Sequence, residues 1–525
     1  MRHVRRLFAF ALALVMAFGF MLPAIAANGD LNVDSQVTVT GFESGDTVTA
    51  YHIIEWKDGE GWELADGITG IDLEDIVDGL NAEELGSLAS AVATAVSNNK
   101  ITPVQGATIN DTTWTLPCNS VATAGSYLIL VTSNNAEHVY NPAVVSADFN
   151  GTNSAAVDLT EDEATLKKQD VTVSKVADNA PEDYSVQVGD IIPFTVTVTV
   201  PQYNSNWTEP YFAVSDVLST GLTIETNPTI EGLTAGTDYT LDVKNDKSGF
   251  TIQFSDKYLK ENATASVDIK YSAKVGEAVM DTAQVHEETN TVTLEFSNNP
   301  SDSSDHKTVT DETHHYTFAI DAARFGSTSD KTNELIKVGV DEGGNAINAY
   351  IEGTPLPAKV SALAGAEFTL TGVAPNGGAN DEEAYKQTAT SDADGRIFFN
   401  NLEVGTYTLK ETKAPNGYIM DTTEHTVVIT ATYDEDGTLT SYTITIDGKA
   451  TSTYSVTTDE ETKETDSDID SVAPGNNQVF PINNSKGTSL PSTGGIGTTI
   501  FYIVGGVMVA GAAIFLLTKR RVTAE

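Results

Sequence analysis

The sequence predicts a mainly β protein, a tandem row of immunoglobulin-like β-sandwich domains whose first domain carries some helix. Two observations predict this fold class. Apolar and Thr side chains alternate through long runs such as 192–200, which is the period-two pattern of a half-buried strand. Turn pairs such as Asp436 and Gly437 separate these runs. The one convincing helical pattern covers 81–98, where Asn81 and Glu84 predict a capping box.

The N-terminal segment has the layout of a secretory signal peptide. Three arginines precede an apolar run over 7–22, and Ala24 and Ala26 then supply the small residues that a signal peptidase requires. We expect removal of residues 1–26. The alternative, an uncleaved membrane anchor, fits the short apolar run less well.

Composition shifts predict the domain organisation of the rest of the chain. Polar stretches interrupt the strand-like pattern around 167–170 and over 301–313, and an acidic stretch at 457–474 is predicted to be a loop. The predicted parts are an N-terminal domain (27–163), a middle domain (164–300), a linker (301–315), a third domain (316–486) and a C-terminal signal region (487–525).

Charge and cysteine content limit the possible functions. Acidic residues outnumber basic ones by 74 to 29, which gives a formal net charge of −45. Such a surface repels phosphate backbones, so we expect no nucleic-acid partner. The single cysteine, Cys118, excludes an intramolecular disulfide, although the chain is predicted to be exported. We identify no metal site and no cofactor site.

The C-terminal region combines three ordered parts. Leu490, Pro491, Ser492, Thr493 and Gly494 precede an apolar stretch over 500–517 that is long enough to cross a membrane, and basic residues follow at 519–521. The combination resembles the LPxTG cell-wall sorting signal. The resemblance implies that a sortase cleaves between Thr493 and Gly494 and passes the Thr493 acyl group to an amine, which makes the chain a substrate and not an enzyme.

Strand parity brings a polar trio into the predicted core of the middle domain. Lys175 shares a face with two valines, Asp216 shares a face with Phe212 and Val214, and Asn298 shares a face with Val292, Leu294 and Phe296. The third domain repeats the trio with Lys337, Glu411 and Asn484. The neighbouring Asn299 and Asn483 are alternatives, because a β-bulge exchanges the two faces.

A lysine, an acid and an asparagine in one apolar site predict a specific reaction. Desolvation lowers the pKa of the lysine and raises that of the carboxyl group, so the neutral amine can attack the asparagine amide while the acid moves protons and ammonia leaves. The product is an intramolecular isopeptide bond. The alternative reading of each trio is a surface salt bridge beside an amide.

Sequence motifs around these residues resemble those of Gram-positive pilins. Gly405, Tyr407, Leu409 and Glu411, followed by the sequence APNGY, resemble the pilin E-box, and 363–368 resembles the preceding strand of Cna B-type domains. The region 211–222 resembles the isopeptide-forming middle domain of the same proteins. The resemblance implies bonds from Lys175 to Asn298 and from Lys337 to Asn484, with Asp216 and Glu411 as the acids.

Family pilins also carry a surface lysine that accepts the next subunit, within a motif containing Tyr-Pro-Lys. This motif is absent here. Lys168 and Lys167 lie at the corresponding junction, and Lys168 is the first candidate for this linkage, followed by Lys167. The equally strong alternative is that both are ordinary charged residues of a linker.

The sequence therefore predicts a secreted, cell-wall-anchored backbone subunit of a covalent pilus that serves adhesion. The predicted partners are a sortase, further copies of the chain joined through Thr–Lys links, ancillary pilins, peptidoglycan and host surface ligands. The alternative is a monomeric wall-anchored adhesin that binds a host protein or glycan.

Overall fold

The fold is described from a computed structural model, which describes residues 35–57, 60–135, 138–148, 159, 162–178, 184–203, 207, 209–280, 284–299, 304–321, 334–351, 353–372, 385–458, 465–472, 478–487 and 496–522. Strands dominate these residues, and the predicted fold class is confirmed. Two compact units divide the chain: residues 1–180, 189–276 and 288–314 form the first, and residues 181–188, 277–287 and 315–525 form the second.

The first unit begins with ten strands and two helices. These are β1 Ser35–Thr40, β2 Thr47–Lys57, β3 Gly61–Leu64, α1 Leu73–Asp78, α2 Ala82–Ser97, β4 Gln105–Thr108, β5 Thr113–Cys118, β6 Gly125–Thr132, β7 His138–Tyr140, β8 Ala143–Ala147, β9 Glu163–Thr165 and β10 Lys168–Asp170. The strand orders are β5-β1-β9, β3-β2-β6-β8 with β4 beside β2, and β10-β7. The predicted helix is confirmed as α2, and Asn81 and Glu84 form its capping box.

The remainder of the first unit forms two facing sheets. Its elements are β11 Val173–Ala177, β12 Ile191–Thr199, β13 Phe212–Leu218, β14 Leu222–Ile230, β15 Tyr239–Val243, β16 Gly249–Phe254, α3 Asp256–Glu261, β17 Ser266–Val275, most of β18 Val285–Ser297 and the first part of β19 His306–Ile320. One sheet has the order β11-β12-β17-β14, and the other has the order β15-β16-β13-β18-β19. Buried apolar side chains such as Phe194, Val196 and Leu294 fill the space between them.

The second unit contains two larger sheets and the C-terminal helix. Its further elements are β20 Leu335–Val340, β21 Tyr350–Ile351, β22 Val360–Ala362, β23 Glu367–Gly372, β24 Tyr385–Thr390, β25 Phe399–Leu402, β26 Gly405–Lys413, β27 Glu424–Tyr433, β28 Leu439–Ile446, β29 Ala450–Thr458, β30 Thr465–Val472, β31 Gln478–Ser485 and α4 Ile496–Val522. The strand orders are β21-β31-β20-β22 and β24-β23-β26-β27-β28-β29-β30. The neighbouring strands β20 and β31 run parallel.

Two stretches that were predicted to be a linker and a loop contain strands. The predicted linker 301–315 contains most of β19, whose residues 306–313 are largely half-buried. The acidic stretch 457–474 contains β30, which pairs with β29. Both segments are polar, and backbone pairing to a neighbouring strand makes them strands despite that composition. The division into three domains stays a prediction.

Candidate isopeptide sites

The strands β20, β26 and β31 bring the predicted trio of the third domain together. The Nζ atom of Lys337 lies 2.6 Å from the Oδ1 atom of Asn484 and 3.1 Å from the Oε2 atom of Glu411. The amide nitrogen of Asn484 donates to the Oε1 atom of Glu411 at 2.6 Å. One carboxyl group therefore contacts both the amine and the amide.

Burial controls the chemistry of this trio. The side chains of Lys337 and Glu411 are 0% and 1% exposed, so the pair is not a surface salt bridge. Burial lowers the pKa of Lys337, and the charge of Glu411 offsets part of this effect. The ring of Phe368 lies 5.4 Å from the Lys337 Nζ atom and adds to the apolar surroundings. These surroundings favour the neutral, nucleophilic amine.

Asn483, the alternative to Asn484, is engaged elsewhere. Its Oδ1 atom accepts from the backbone N–H of Ile347, and its Nδ2 atom donates to the carbonyl oxygen of the same residue. Neighbouring residues of a strand point to opposite faces, which explains why only Asn484 reaches Lys337.

The middle domain also buries a lysine against an acid. Lys175, on β11, donates to the Oδ2 atom of Asp216, on β13, at 2.5 Å, and both side chains are 0% exposed. Burial lowers the pKa of Lys175 to about 8, whereas burial raises the pKa of Asp216. The charge of Asp216 offsets part of the pKa shift of Lys175, and the charge of Lys175 offsets part of the pKa shift of Asp216. Both directions favour the uncharged pair that attack on an amide requires.

The asparagine beside this pair is Asn290 and not the predicted Asn298. Asp216 is paired with Val292, from which Asn298 is six residues distant, or about 20 Å along an extended chain. Asn298 is buried, but its amide donates to the carbonyl oxygen of Ser133 at 2.7 Å. Asn290 is two residues from Val292, fully buried, and donates to the Tyr271 hydroxyl at 2.7 Å.

The Tyr271 hydroxyl is the second feature that sequence reasoning missed. It accepts from Lys175 Nζ at 2.9 Å and donates to Asp216 Oδ1 at 2.9 Å. Asn290 shares strand parity with Val292 and Leu294, and that signal was available in the sequence. Tyr271 alternates with buried residues of β17 in the same way, but its pattern is that of an ordinary core tyrosine.

The two candidate linkage lysines lie at the surface of the first unit. Lys168 belongs to β10, where it is paired with Tyr140 of β7, and its side chain is 36% exposed. Its Nζ atom forms an ion pair with Glu43, and this hydrogen bond lowers the pKa of the Glu43 carboxyl. Lys167 is exposed, and its carbonyl oxygen accepts from the backbone N–H of Asn141.

The C-terminal helix α4 includes an apolar segment, 500–519, that is long enough to cross a membrane. The predicted cleavage residues Leu490, Pro491, Thr493 and Gly494 lie outside the described residues, as do residues 1–26.

Comparison with protein families supplies three matches in chain order. Residues 188–300 match the Gram-positive pilin backbone subunit 2, Cna-B-like domain. Residues 357–445 match the SpaA prealbumin-like fold domain, and residues 482–523 match the LPXTG cell wall anchor motif. The chain carries the domains and the anchor motif of a Gram-positive backbone pilin. It is a cell-wall-anchored surface protein.

Individual proteins are similar to this chain over most of its length. The pilin is 24% identical to the trypsin-resistant surface T6 protein of Streptococcus pyogenes serotype M6, over 93% of this chain and 95% of that protein. The solved T6 backbone pilin of the same serotype has a TM-score of 0.53 at 19% identity, covering 88% of this pilin and 100% of that chain. The solved major pilin SpaD of Corynebacterium diphtheriae has a TM-score of 0.43 at 17% identity, covering 88% and 99%. The T6 structure supports the shared fold.

Proposed function

We propose that this backbone pilin forms a covalent shaft whose subunits are stiffened by two intramolecular isopeptide bonds, Lys337–Asn484 and Lys175–Asn290. The observation that carries the proposal is the buried contact of Lys337 with both Glu411 and the Asn484 amide oxygen. The family matches support a pilin backbone subunit and do not favour the alternative of a monomeric adhesin.

The bond-forming reaction follows from these contacts. The neutral Lys337 Nζ atom attacks the Asn484 side-chain carbon, the new C–N bond forms, and the bond to the amide nitrogen breaks. Glu411 takes a proton from the amine on one oxygen and gives one to the leaving nitrogen from the other. Ammonia leaves, and Glu411 returns to its starting state. Each bond forms once within the same molecule, so the pilin undergoes a single-turnover reaction and does not act as an enzyme.

Assembly of the shaft requires two further groups of the chain, the carbonyl group of Thr493 and the amine of Lys168. A sortase cleaves between Thr493 and Gly494 and transfers the Thr493 acyl group to the Lys168 amine of another copy. The last subunit is transferred to peptidoglycan, and ancillary pilins join through the same chemistry. Exposure of Lys168 on a paired strand supports its assignment as the acceptor. The assembled shaft would serve adhesion to host surfaces.

Intact mass tests the two bonds directly. The purified segment 27–493 should be lighter than its sequence by roughly 34 Da, because each bond releases one ammonia of roughly 17 Da. A Lys337→Ala variant should show a deficit of one ammonia relative to its own sequence. A mass equal to that of the plain sequence would contradict both bonds.

A further inference from the structure

The hydroxyl of Tyr271 lies at the centre of the candidate site in the middle domain. It is within hydrogen-bond distance of three groups: the amine of Lys175, the carboxyl of Asp216 and the amide nitrogen of Asn290. Lys175 and Tyr271 come from one sheet, whereas Asp216 and Asn290 come from neighbouring strands of the other. A bond between Lys175 and Asn290 would therefore join the two sheets beside this hydroxyl.

The third domain, where a glutamate contacts both reacting groups, shows which contact the tyrosine supplies in the middle domain. There, the two oxygens of Glu411 contact the amine and the amide nitrogen directly. In the middle domain the acid is an aspartate, whose side chain is shorter by one methylene group. Asp216 accepts from the amine with one oxygen and from the Tyr271 hydroxyl with the other, and this hydroxyl accepts from the amide nitrogen of Asn290. The contact to the amide nitrogen that Glu411 makes in the third domain is therefore made by Tyr271 in the middle domain.

We propose that Tyr271 is a catalytic residue of the middle domain, which relays a proton from Asp216 to the leaving nitrogen of Asn290; the inference rests on the proposed Lys175–Asn290 bond. As the bond from Lys175 Nζ to the Asn290 side-chain carbon forms, Asp216 takes a proton from the amine. Tyr271 gives its hydroxyl proton to Nδ2 and receives one from Asp216. The bond to Nδ2 breaks with its electron pair on nitrogen, ammonia leaves, and both residues end unchanged.

The surroundings of Tyr271 suit this relay. Burial raises the pKa of its hydroxyl well above the ordinary value, so the group keeps its proton at neutral pH and is available as a donor. Phe194 stacks on its ring at 5.2 Å between centroids, and Phe250 contacts it edge-on at 5.0 Å. These two contacts hold the hydroxyl between the amine and the amide.

A Tyr271→Phe variant of the segment 27–493 removes only the hydroxyl. We expect the Lys175–Asn290 cross-link to form about 100-fold more slowly, which is the size of a typical general acid–base contribution. The measurement follows intact mass during incubation after purification, with the cross-linked peptides assigned by tandem mass spectrometry. The Lys337–Asn484 bond of the same molecules is an internal control. Tyr203→Phe is the matched variant, because Tyr203 is also buried but donates to the Ser297 carbonyl.

A second variant separates catalysis from a merely structural role. In Asp216→Glu combined with Tyr271→Phe, the longer acid should reach Asn290 as Glu411 reaches Asn484, and cross-linking should recover. Recovery supports the relay. A wild-type rate in Tyr271→Phe, or a slow rate that the double variant does not rescue, overturns it. Absence of the Lys175–Asn290 cross-link from the wild type would contradict the proposed bond itself.

Discussion

A buried lysine is costly for a folded protein unless its charge is neutralised or paired. The side chains of Lys175 and Lys337 are both 0% exposed, and each contacts a buried acid. Conversion of the amine to an amide removes the ionisable group permanently. At the scale of the residue, the proposed isopeptide bond would therefore replace a buried ionisable amine with a neutral amide.

Glu411→Gln tests the acid of the third domain. Glutamine keeps the shape of the side chain but cannot exchange the proton, so we expect no Lys337–Asn484 bond. The variant should then lose one ammonia where the wild type loses two, a difference in mass deficit of roughly 17 Da. Lys337 and Asn484 are 147 positions apart. By the chain-entropy argument for cross-links, losing a link that closes a loop of this size costs about 5 kcal/mol of the free energy of unfolding. Intact mass and denaturant unfolding measure both effects.

Glu424→Gln is the control for this variant, because Glu424 forms an exposed ion pair with Lys410 on the same sheet. Its mass deficit should equal that of the wild type, and its stability should change by less than about 1 kcal/mol. A complete deficit of two ammonias in Glu411→Gln would contradict the assigned role of the acid.

Strand parity identified five of the six trio residues that the structure brings to these sites. It predicts the face on which a side chain lies, but all alternate positions of a long strand satisfy it equally. Asn290 and Asn298 lie on the same face of the segment that includes β18, and only the pairing of Val292 with Asp216 distinguishes them. That register is a tertiary property, which explains why the sequence alone led to Asn298.

At the scale of the elements, a buried carboxyl pair anchors the start of the strand that carries Lys337. Asp321 Oδ1 accepts from the backbone N–H groups of Glu334 and Leu335, and Glu334 Oε2 accepts from the N–H of Asp321. Tyr454 donates to the Oε1 atom of Glu334, and the amide nitrogen of Gln284 donates to that Oε1 atom at 3.3 Å. The network joins the end of β19 to β20 and β29.

This network makes the stability of the second unit depend on pH. Burial and the charge of Asp321 raise the pKa of Glu334 above its ordinary value of about 4.5. Burial also raises the pKa of Asp321, and its hydrogen bonds from backbone N–H groups and the charge of Arg396 offset part of that rise. The folded state then binds more protons than the unfolded state, so stability falls as pH rises from about 4.5 towards the raised pKa. Thermal unfolding midpoints across this range measure the effect.

Glu334→Gln should flatten this dependence, because glutamine is neutral at every pH and keeps the size of the protonated acid. The slope of the unfolding midpoint against pH should differ most between wild type and variant above a pH of about 4.5. Equal slopes in the two proteins would show that Glu334 does not titrate between the folded and unfolded states.

The strand β19 shows why element boundaries were harder to predict than fold class. Its first part, 306–313, contains three Thr, one each of His, Lys, Asp and Glu, and a single apolar residue, a composition that favours a linker. Neighbouring strands supply its hydrogen bonds, and several of its side chains pair locally, as His306 does with Glu295 at 2.8 Å. A high content of apolar residues marks a strand that is buried on both faces. A half-exposed strand such as the first part of β19 has few apolar residues, so its composition does not distinguish it from a linker.

At the scale of the whole molecule, each proposed bond redirects tension along the chain. A pull between the N-terminal end and Thr493 reaches Lys337 along β20 and leaves along β31, which are adjacent parallel strands. A Lys337–Asn484 bond would pass that force directly from one to the other, so residues 338–483 would carry none of it. A Lys175–Asn290 bond would do the same for 176–289. A pilin without a disulfide would thereby resist extension.

Subunit linkage tests the polymer as a whole. Lys168→Arg keeps the positive charge and the ion pair with Glu43, but a guanidinium is not nucleophilic at neutral pH, so acceptance of the Thr493 acyl group should stop. We expect the SDS-resistant ladder in cell-wall extracts to collapse to a single anchored subunit. Lys167→Arg, one residue away, should leave the ladder intact. The reverse pattern would move the linkage to Lys167, and a ladder in both variants would exclude both lysines. Because the two substitutions preserve charge and each domain's core, a difference between them reports the position of the nucleophile and not the stability of the subunit.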